Sequence, residues 1–447
     1  MLDMTIGALV ILLITVIFGF YMAWTIGAND VANSMGTVFG SGTLSLKRII
    51  LIAVIFEFLG AFLVGAHVTN TLKGGIVEPS YYQNTDYFSG ESGLYIFVAG
   101  MLAVLLAASL WVTMATYRSL PISTSQSLVG AVAGFGVISI ILGDIPLEAM
   151  NGTMLIKIST GWVLSPVLGG IISFLIFLLI RRSIFEAKDP EKRAHKVISF
   201  FIGTVFFILI LAGISGELKN LREGMKGILP LTVLDLIFSG SWLRVFVVLF
   251  ISALAGIFGG YYVSRSKRLR KLGTIDRVEK MFGGLLIVTA CYVAFAHGAN
   301  DVANAVGPVA AISQIMFERE ITNEVQVATW ILVLGGAGIV VGVSTWGYKV
   351  MTTIGKKITR ITPTRGFSAS FGAASSVLLC TLLGIPVSTS QIIVGAVIGV
   401  GMAGGITAID LRVIRNIIVS WVFTIPIAAA TTAVIFLVFR AIAINIV

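Results

Sequence analysis

The sequence predicts an all-α polytopic membrane protein of about 12 segments, built as two inverted-topology repeats with re-entrant helical hairpins. Three observations carry that expectation: composition, the length of the apolar runs, and two motifs that each occur twice. Of 447 residues, 57% are hydrophobic and 12% charged, and the mean hydropathy is +1.00. A soluble domain carries about 25% charged residues. An outer-membrane barrel would alternate over short segments instead of running apolar for long stretches.

A helix needs about 20 apolar residues to cross the hydrocarbon. Single spans are therefore expected at 5–26, 48–69, 158–180, 198–215, 242–263, 281–298, 327–350 and 413–439. Regions 95–142 and 366–409 are longer, and in each a proline followed by serines and a threonine interrupts the apolar run. Each reads as two segments joined by an irregular apex. The N-terminal "MLDMTIGALV" lacks a positive n-region and reads as a retained membrane helix. Cys291 and Cys380 lie in apolar runs and read as small core residues, which leaves no disulfide framework and no transition-metal cluster.

Lys and Arg assign the sides of the membrane. Residues 181–196 hold six basic residues and 265–280 hold seven, and Lys356, Lys357, Arg360 and Arg365 follow another span. The loop 74–94 holds none. Placing the basic loops in the cytoplasm puts both termini outside. It also accounts for the net charge of +10 without nucleic acid.

"GANDVAN" stands at 27–33 and again at 298–304. "PISTSQSLVGAV" (121–132) matches "PVSTSQIIVGAV" (386–397) at nine of twelve positions. Order and spacing are kept, so the chain divides into a first repeat (1–180), a central two-span region (181–280) and a second repeat (281–447). The loop after the second span is free of Lys and Arg in the first repeat (74–94), whereas its counterpart (355–365) is basic. The halves therefore face opposite ways. Inverted repeats with interrupted segments are a recurrent architecture of secondary transporters, with the site near the midplane between the repeats.

A carboxylate in the bilayer costs several kcal/mol unless paired or hydrated. Asp30 and Asp301 have no Lys or Arg near them in sequence. With Asn29, Asn33, Asn300 and Asn304 they supply oxygens that suit a small hard cation. Gly27 and Gly298 would allow local unwinding that frees carbonyls as further ligands. In the other motif, Pro121 and Pro386 suit a helix first turn beside a Ser or Thr cap. A buried helix N-terminus is also an anion site. Ser123, Thr124, Ser125 and Gln126, with Ser388, Thr389, Ser390 and Gln391, add hydroxyl and amide donors for a tetrahedral oxyanion. An anion beside two aspartates is repelled, by about 4 kcal/mol for a unit pair at 4 Å and an effective dielectric of 20. A cation held between them reverses that sign.

Glu57 is the only acidic residue of its span and has no counterpart in the second half; it reads as a coupling carboxylate or a structural partner. His297, whose first-half equivalent is Ile26, reads as a hydrogen-bonded helix residue, with proton relay as the alternative. No nucleophile–base pair supports an enzyme, and the segments lack the Lys or Arg rings of an anion channel.

These twin motifs in inverted halves resemble the inorganic phosphate transporter (PiT-type) family over about 27–166 and 298–426. The resemblance implies a homodimeric symporter in the cell membrane, moving inorganic phosphate with Na⁺ or H⁺ and using no cofactor. It implies that the GAND Asn and Asp residues serve the cations and that S-T-S-Q holds phosphate on re-entrant hairpins. The large cytoplasmic domain of animal members is absent from 181–280, and Ser34 stands opposite Ala305. Paired Asn and Asp oxygens favour Na⁺ over H⁺, since a proton needs only one base. Sulfate is the rival oxyanion; a protonated phosphate, unlike sulfate, also needs an acceptor.

Overall fold

A computed structural model describes residues 6–72, 75–83, 88, 92–214, 242–264, 272–321, 327–382, 385–405 and 409–446. The described chain is helical apart from two isolated β-bridges. The helices are α1 (Ile6–Gly40), α2 (Leu46–Leu72), α3 (Ser92–Tyr117), α4 (Thr124–Ile141), α5 (Gly152–Ile180), α6 (Pro190–Ile214) and α7 (Trp242–Ser264). They continue as α8 (Thr274–Asp301), α9 (Ala303–Glu318), α10 (Thr329–Thr345), α11 (Gly347–Thr352), α12 (Pro363–Leu382), α13 (Thr389–Ala403) and α14 (Leu411–Ile446). Among the described residues, eight helices are long and apolar enough to cross a membrane, or nine with α10 and α11 counted as one bent span. Their outward faces carry exposed Leu, Val, Ile and Phe, as a lipid-facing surface requires.

Both interrupted regions form helical hairpins: residues 118–123 separate α3 from α4, and non-helical residues 385–388 lead into α13 after α12. Ser123 and Ser388 cap the second arms, accepting from Gln126 N (3.1 Å) and Gln391 N (3.3 Å). Pro121 and Pro386 lie two residues ahead of those caps and not in the first turn. There their missing N–H groups leave no helical bond to lose.

The GAND segments correct a second expectation. α1 runs unbroken through Gly27, so the first copy is not unwound, and only the second is interrupted, at Val302 between α8 and α9. The two glycines serve close packing instead. A Cβ on Gly27 would strike the carbonyl of Ile339 in α10, and one on Gly298 would strike that of Glu57 in α2.

That pairing extends through the fold. α1 packs on α10, and α8, which carries the second GAND, packs on α2. α5 packs on α13 and α12, while α14 packs on α4 and α3. The bridges Val77–Met150 and Thr359–Ile409 join matching positions too. Each half thus buries its helices against the counterparts of its own neighbours. This interleaving brings both hairpin apices to the first GAND segment and the first apex to the second as well. α6 and α7 pack on each other, and α6 also on α8.

Candidate functional site

The polar residues of both motifs meet inside the helix bundle. α1 supplies Asn29, Asp30, Asn33 and Ser34, and α2 supplies Glu57; all five are buried. α8 supplies buried His297 and Asp301 together with exposed Asn300, and the first turn of α9 supplies buried Asn304. The hairpins contribute Ser123, Thr124, Gln126, Ser388, Ser390 and Gln391, all buried, and the partly exposed Ser125 and Thr389.

Asp30 is the meeting point. It accepts from Thr124 Oγ1 of the first hairpin (2.5 Å) and from Ser390 Oγ of the second (3.2 Å). Asn33 Nδ2 donates to Ser390 Oγ at 2.8 Å, and its counterpart Asn304 donates to Ser125 Oγ at 3.3 Å. Each asparagine therefore reaches the hairpin of the other half. The sequence motifs placed these residues in two groups; the structure joins them by hydrogen bonds.

Asp301 is held differently. Asn300 Nδ2 donates to its Oδ1 (2.8 Å), and His297 Nε2 lies 2.7 Å from its Oδ2. On the other side of the ring, His297 Nδ1 lies 3.5 Å from Glu57 Oε1, which also accepts from Ser34 Oγ at 3.1 Å. Ligand atoms of Asp30, His297 and Asp301 all lie within 4.8 Å of one another, which is a spacing that could hold a cation. Among the described residues, no Lys or Arg forms a salt bridge with Asp30, Glu57 or Asp301.

His297, read from the sequence as a hydrogen-bonded helix residue, bridges Glu57 and the second GAND aspartate. Ser34, Glu57 and His297 are each unmatched in the other half, where Ala305, Ile339 and Ile26 stand. That shared lack of a counterpart was the available signal that they belong together. Asn29 turns its carboxamide to the first hairpin. Its Nδ2 donates to Thr116 Oγ1 (2.8 Å) and Leu120 O (3.1 Å), and its Oδ1 accepts from Ile122 N (3.3 Å).

The side-chain oxygens of Gln126 and Gln391 occupy matching positions, and both are buried with no hydrogen-bond partner among the described residues. An unmet buried acceptor costs about 1–3 kcal/mol.

Membrane-crossing helices that fold two broken hairpins onto a buried set of carboxylates, amides and hydroxyls define a polytopic membrane transport protein. The family model described as the phosphate transporter family matches residues 26–432, and the chain belongs to that family. It is 39% identical to a putative phosphate permease of Pyrococcus furiosus, with 95% of each chain covered. It is 36% identical to the chloroplastic inorganic phosphate transporter 2-1 of Arabidopsis thaliana, covering 94% of this chain and 71% of that one. A solved structure described as a sodium-dependent phosphate transporter superposes with a TM-score of 0.80 at 38% identity, covering 97% of this chain and 100% of the other. The protein is a multi-pass phosphate transporter and not an enzyme.

Proposed function

We propose that the protein is a Na⁺-coupled symporter of inorganic phosphate working by alternating access. The observation that carries this reading is the direct hydrogen bonding of both hairpins to Asp30. Thr124 and Ser390 cannot turn toward an anion without releasing that carboxylate, and a cation at the carboxylate would free them to do so. Occupancy of either site then bears on the other, which is the thermodynamic root of coupling.

In this reading Asn29, Asp30, Asn33, Asn300, Asp301 and Asn304 hold the cation. Ser123, Thr124, Ser125, Gln126, Ser388, Thr389, Ser390 and Gln391 hold phosphate, and Glu57 links Ser34 and His297 to the cation side. The unmet Gln126 and Gln391 oxygens favour phosphate over sulfate, because a P–OH can donate to an acceptor and sulfate has no proton to give. Support for Na⁺ comes from the sodium-dependent neighbour. The proton-coupled alternative draws on His297 between two carboxylates. Uptake of radioactive phosphate into vesicles under imposed Na⁺ or H⁺ gradients separates the two. Na⁺-driven accumulation is expected, and accumulation driven by H⁺ alone would overturn the coupling ion.

The inverted arrangement, both termini outside, and the homodimer that the resemblance implies belong to the same proposal. Cysteines placed at Ser80 and at Lys357 should react with an impermeant reagent from opposite sides of the membrane. Reaction of both from one side would remove the inversion. Mass measurement in nanodiscs tests the dimer.

A further inference from the structure

Along the outward face of α3, Leu110 and Met114 are exposed and apolar, and the next turn brings exposed Tyr117 and Arg118. α10 changes in the same way, as exposed Val333 and Val341 give way to exposed Ser344, Thr345 and Tyr348. Trp330 stands near the other end of α10 and Trp346 at its close, as aromatic residues do at both edges of a bilayer. The lipid tails therefore end at the level of Trp346. Exposed Lys356 and Lys357 follow within about three turns, so this edge lies on the side of the basic loops.

At Trp346 the chain bends by 57° from α10 into α11, and Lys349 of α11 comes to lie against the end of α3. Its Nζ is 3.8 Å from the centre of the Trp346 ring and 4.8 Å from that of Tyr117. Trp24 of α1 packs on Trp346 with ring centres 5.2 Å apart and donates from Nε1 to Thr345 Oγ1 at 3.0 Å. These rings form a partly exposed shelf with a cation fixed on it. Among the described residues no carboxylate pairs with Lys349 or with Arg118. Both cations lie where tails meet headgroups, and the anion found at that depth is a lipid phosphate. We propose that this shelf binds the headgroup of an anionic phospholipid of the inner leaflet, its phosphate held by Lys349 and Arg118. The choice of leaflet rests on the orientation read from the basic loops.

The rings also select the headgroup. A choline ammonium would seek the face of Trp346 or Tyr117 by cation–π attraction, and Lys349 already occupies that place. A zwitterionic lipid thus meets a cation where its own cation would sit, and an anionic lipid does not. Because two rings hold Lys349, little side-chain freedom is lost when the phosphate arrives. The seat bears on transport through the turn beside it. Ser119 follows Arg118 with φ 58°, and its carbonyl accepts from Thr353 Oγ1 at 2.7 Å. Leu120, the next residue, gives its carbonyl to Asn29 of the first GAND. A phosphate held between Arg118 and Lys349 ties the first hairpin to α11, just where Thr353 ties it to the turn that follows α11.

The test uses the full chain in symmetric phosphatidylcholine vesicles, with a fixed minor fraction of brominated lipid to quench tryptophan fluorescence. Brominated phosphatidylglycerol should quench more than brominated phosphatidylcholine at the same fraction. A basic side chain near the surface favours anionic lipid by roughly fivefold. Arg118→Gln and Lys349→Gln should each lower the preference by that factor, and Lys349→Arg should keep it. Arg118→Gln, on the exposed surface, carries the test if Lys349→Gln does not fold. Excess inorganic phosphate should leave the quenching unchanged; relief of quenching would overturn the lipid in favour of a soluble anion. Equal quenching by the two lipids, or a preference untouched by both variants, would also overturn the proposal. A dimer lost in Lys349→Gln without any lipid preference would assign the shelf to a second copy of the chain instead. Both leaflets carry the quencher and no transport is read, so the outcome is independent of the orientation and of the symport reading.

Discussion

In the first GAND copy the aspartate takes hydrogen bonds from both hairpins within a continuous helix of 35 residues. In the second, the helix stops at Asp301, and that aspartate faces a histidine and its neighbouring asparagine. The seven letters are identical, so the difference comes from what surrounds them. One half brings Ser34, Glu57 and His297; the other brings Ala305, Ile339 and Ile26. A duplicated motif thus guarantees duplicated backbone packing, as Gly27 and Gly298 show, but not duplicated electrostatics.

The largest expected effects should ignore this asymmetry. Asp30→Asn and Asp301→Asn should each reduce coupled uptake to background with the protein still folded, checked by uptake beside a thermal-shift assay. Normal cation-dependent transport in either would remove that residue from the cation site. Next, Glu57→Gln and His297→Ile act on one copy alone. Breaking a buried ion pair costs about 3–5 kcal/mol when one partner is left uncompensated. Glu57→Gln and His297→Ile should therefore each lower thermal stability, and the double variant should lose less than the sum of the two. A loss in the double variant equal to that sum would mean that the two residues act independently.

A smaller effect sharpens the contrast between hairpins. Ser390 contacts both Asp30 and Asn33, whereas Ser125 has a single long bond to Asn304. A net hydrogen bond is worth about 1 kcal/mol, or roughly fivefold in affinity. Ser390→Ala should weaken Na⁺-dependent phosphate binding by about that factor more than Ser125→Ala does. Equal losses would place the two hairpins symmetrically about the anion. The smallest difference belongs to the glycines: Gly27→Ala and Gly298→Ala should each cost about 1–3 kcal/mol through overpacking, and nearly the same amount. Unequal melting shifts would show that the packing around the two copies differs as well.

The hairpins, the repeat and the GAND aspartates were legible because a polar residue in an apolar run is conspicuous, and because repetition separates signal from chance. Span boundaries were less so. The apolar run ended at 26 by composition, yet α1 continues to Gly40, because Asn29, Asp30 and Asn33 find partners inside the protein and need no loop. Asn29's bonds to the first hairpin and the Ser34–Glu57–His297 chain depend on contacts between residues 23 to 240 positions apart, which no local pattern encodes. Gly27 looked like a site of unwinding because glycine permits it; tertiary packing against Ile339 used the missing Cβ instead.

The central claim is that the hairpins and the carboxylates form one linked site. Calorimetric titration of phosphate into purified protein, in Na⁺ and in choline, tests it most directly. Neutral hydroxyls and amides beside two aspartates should bind phosphate poorly until a cation is seated. Na⁺ should therefore raise phosphate affinity by roughly 5–150-fold, and phosphate should raise Na⁺ affinity by the same factor. Equal phosphate affinity in the two salts would contradict the account, because the bonds from Thr124 and Ser390 to Asp30 would then couple nothing.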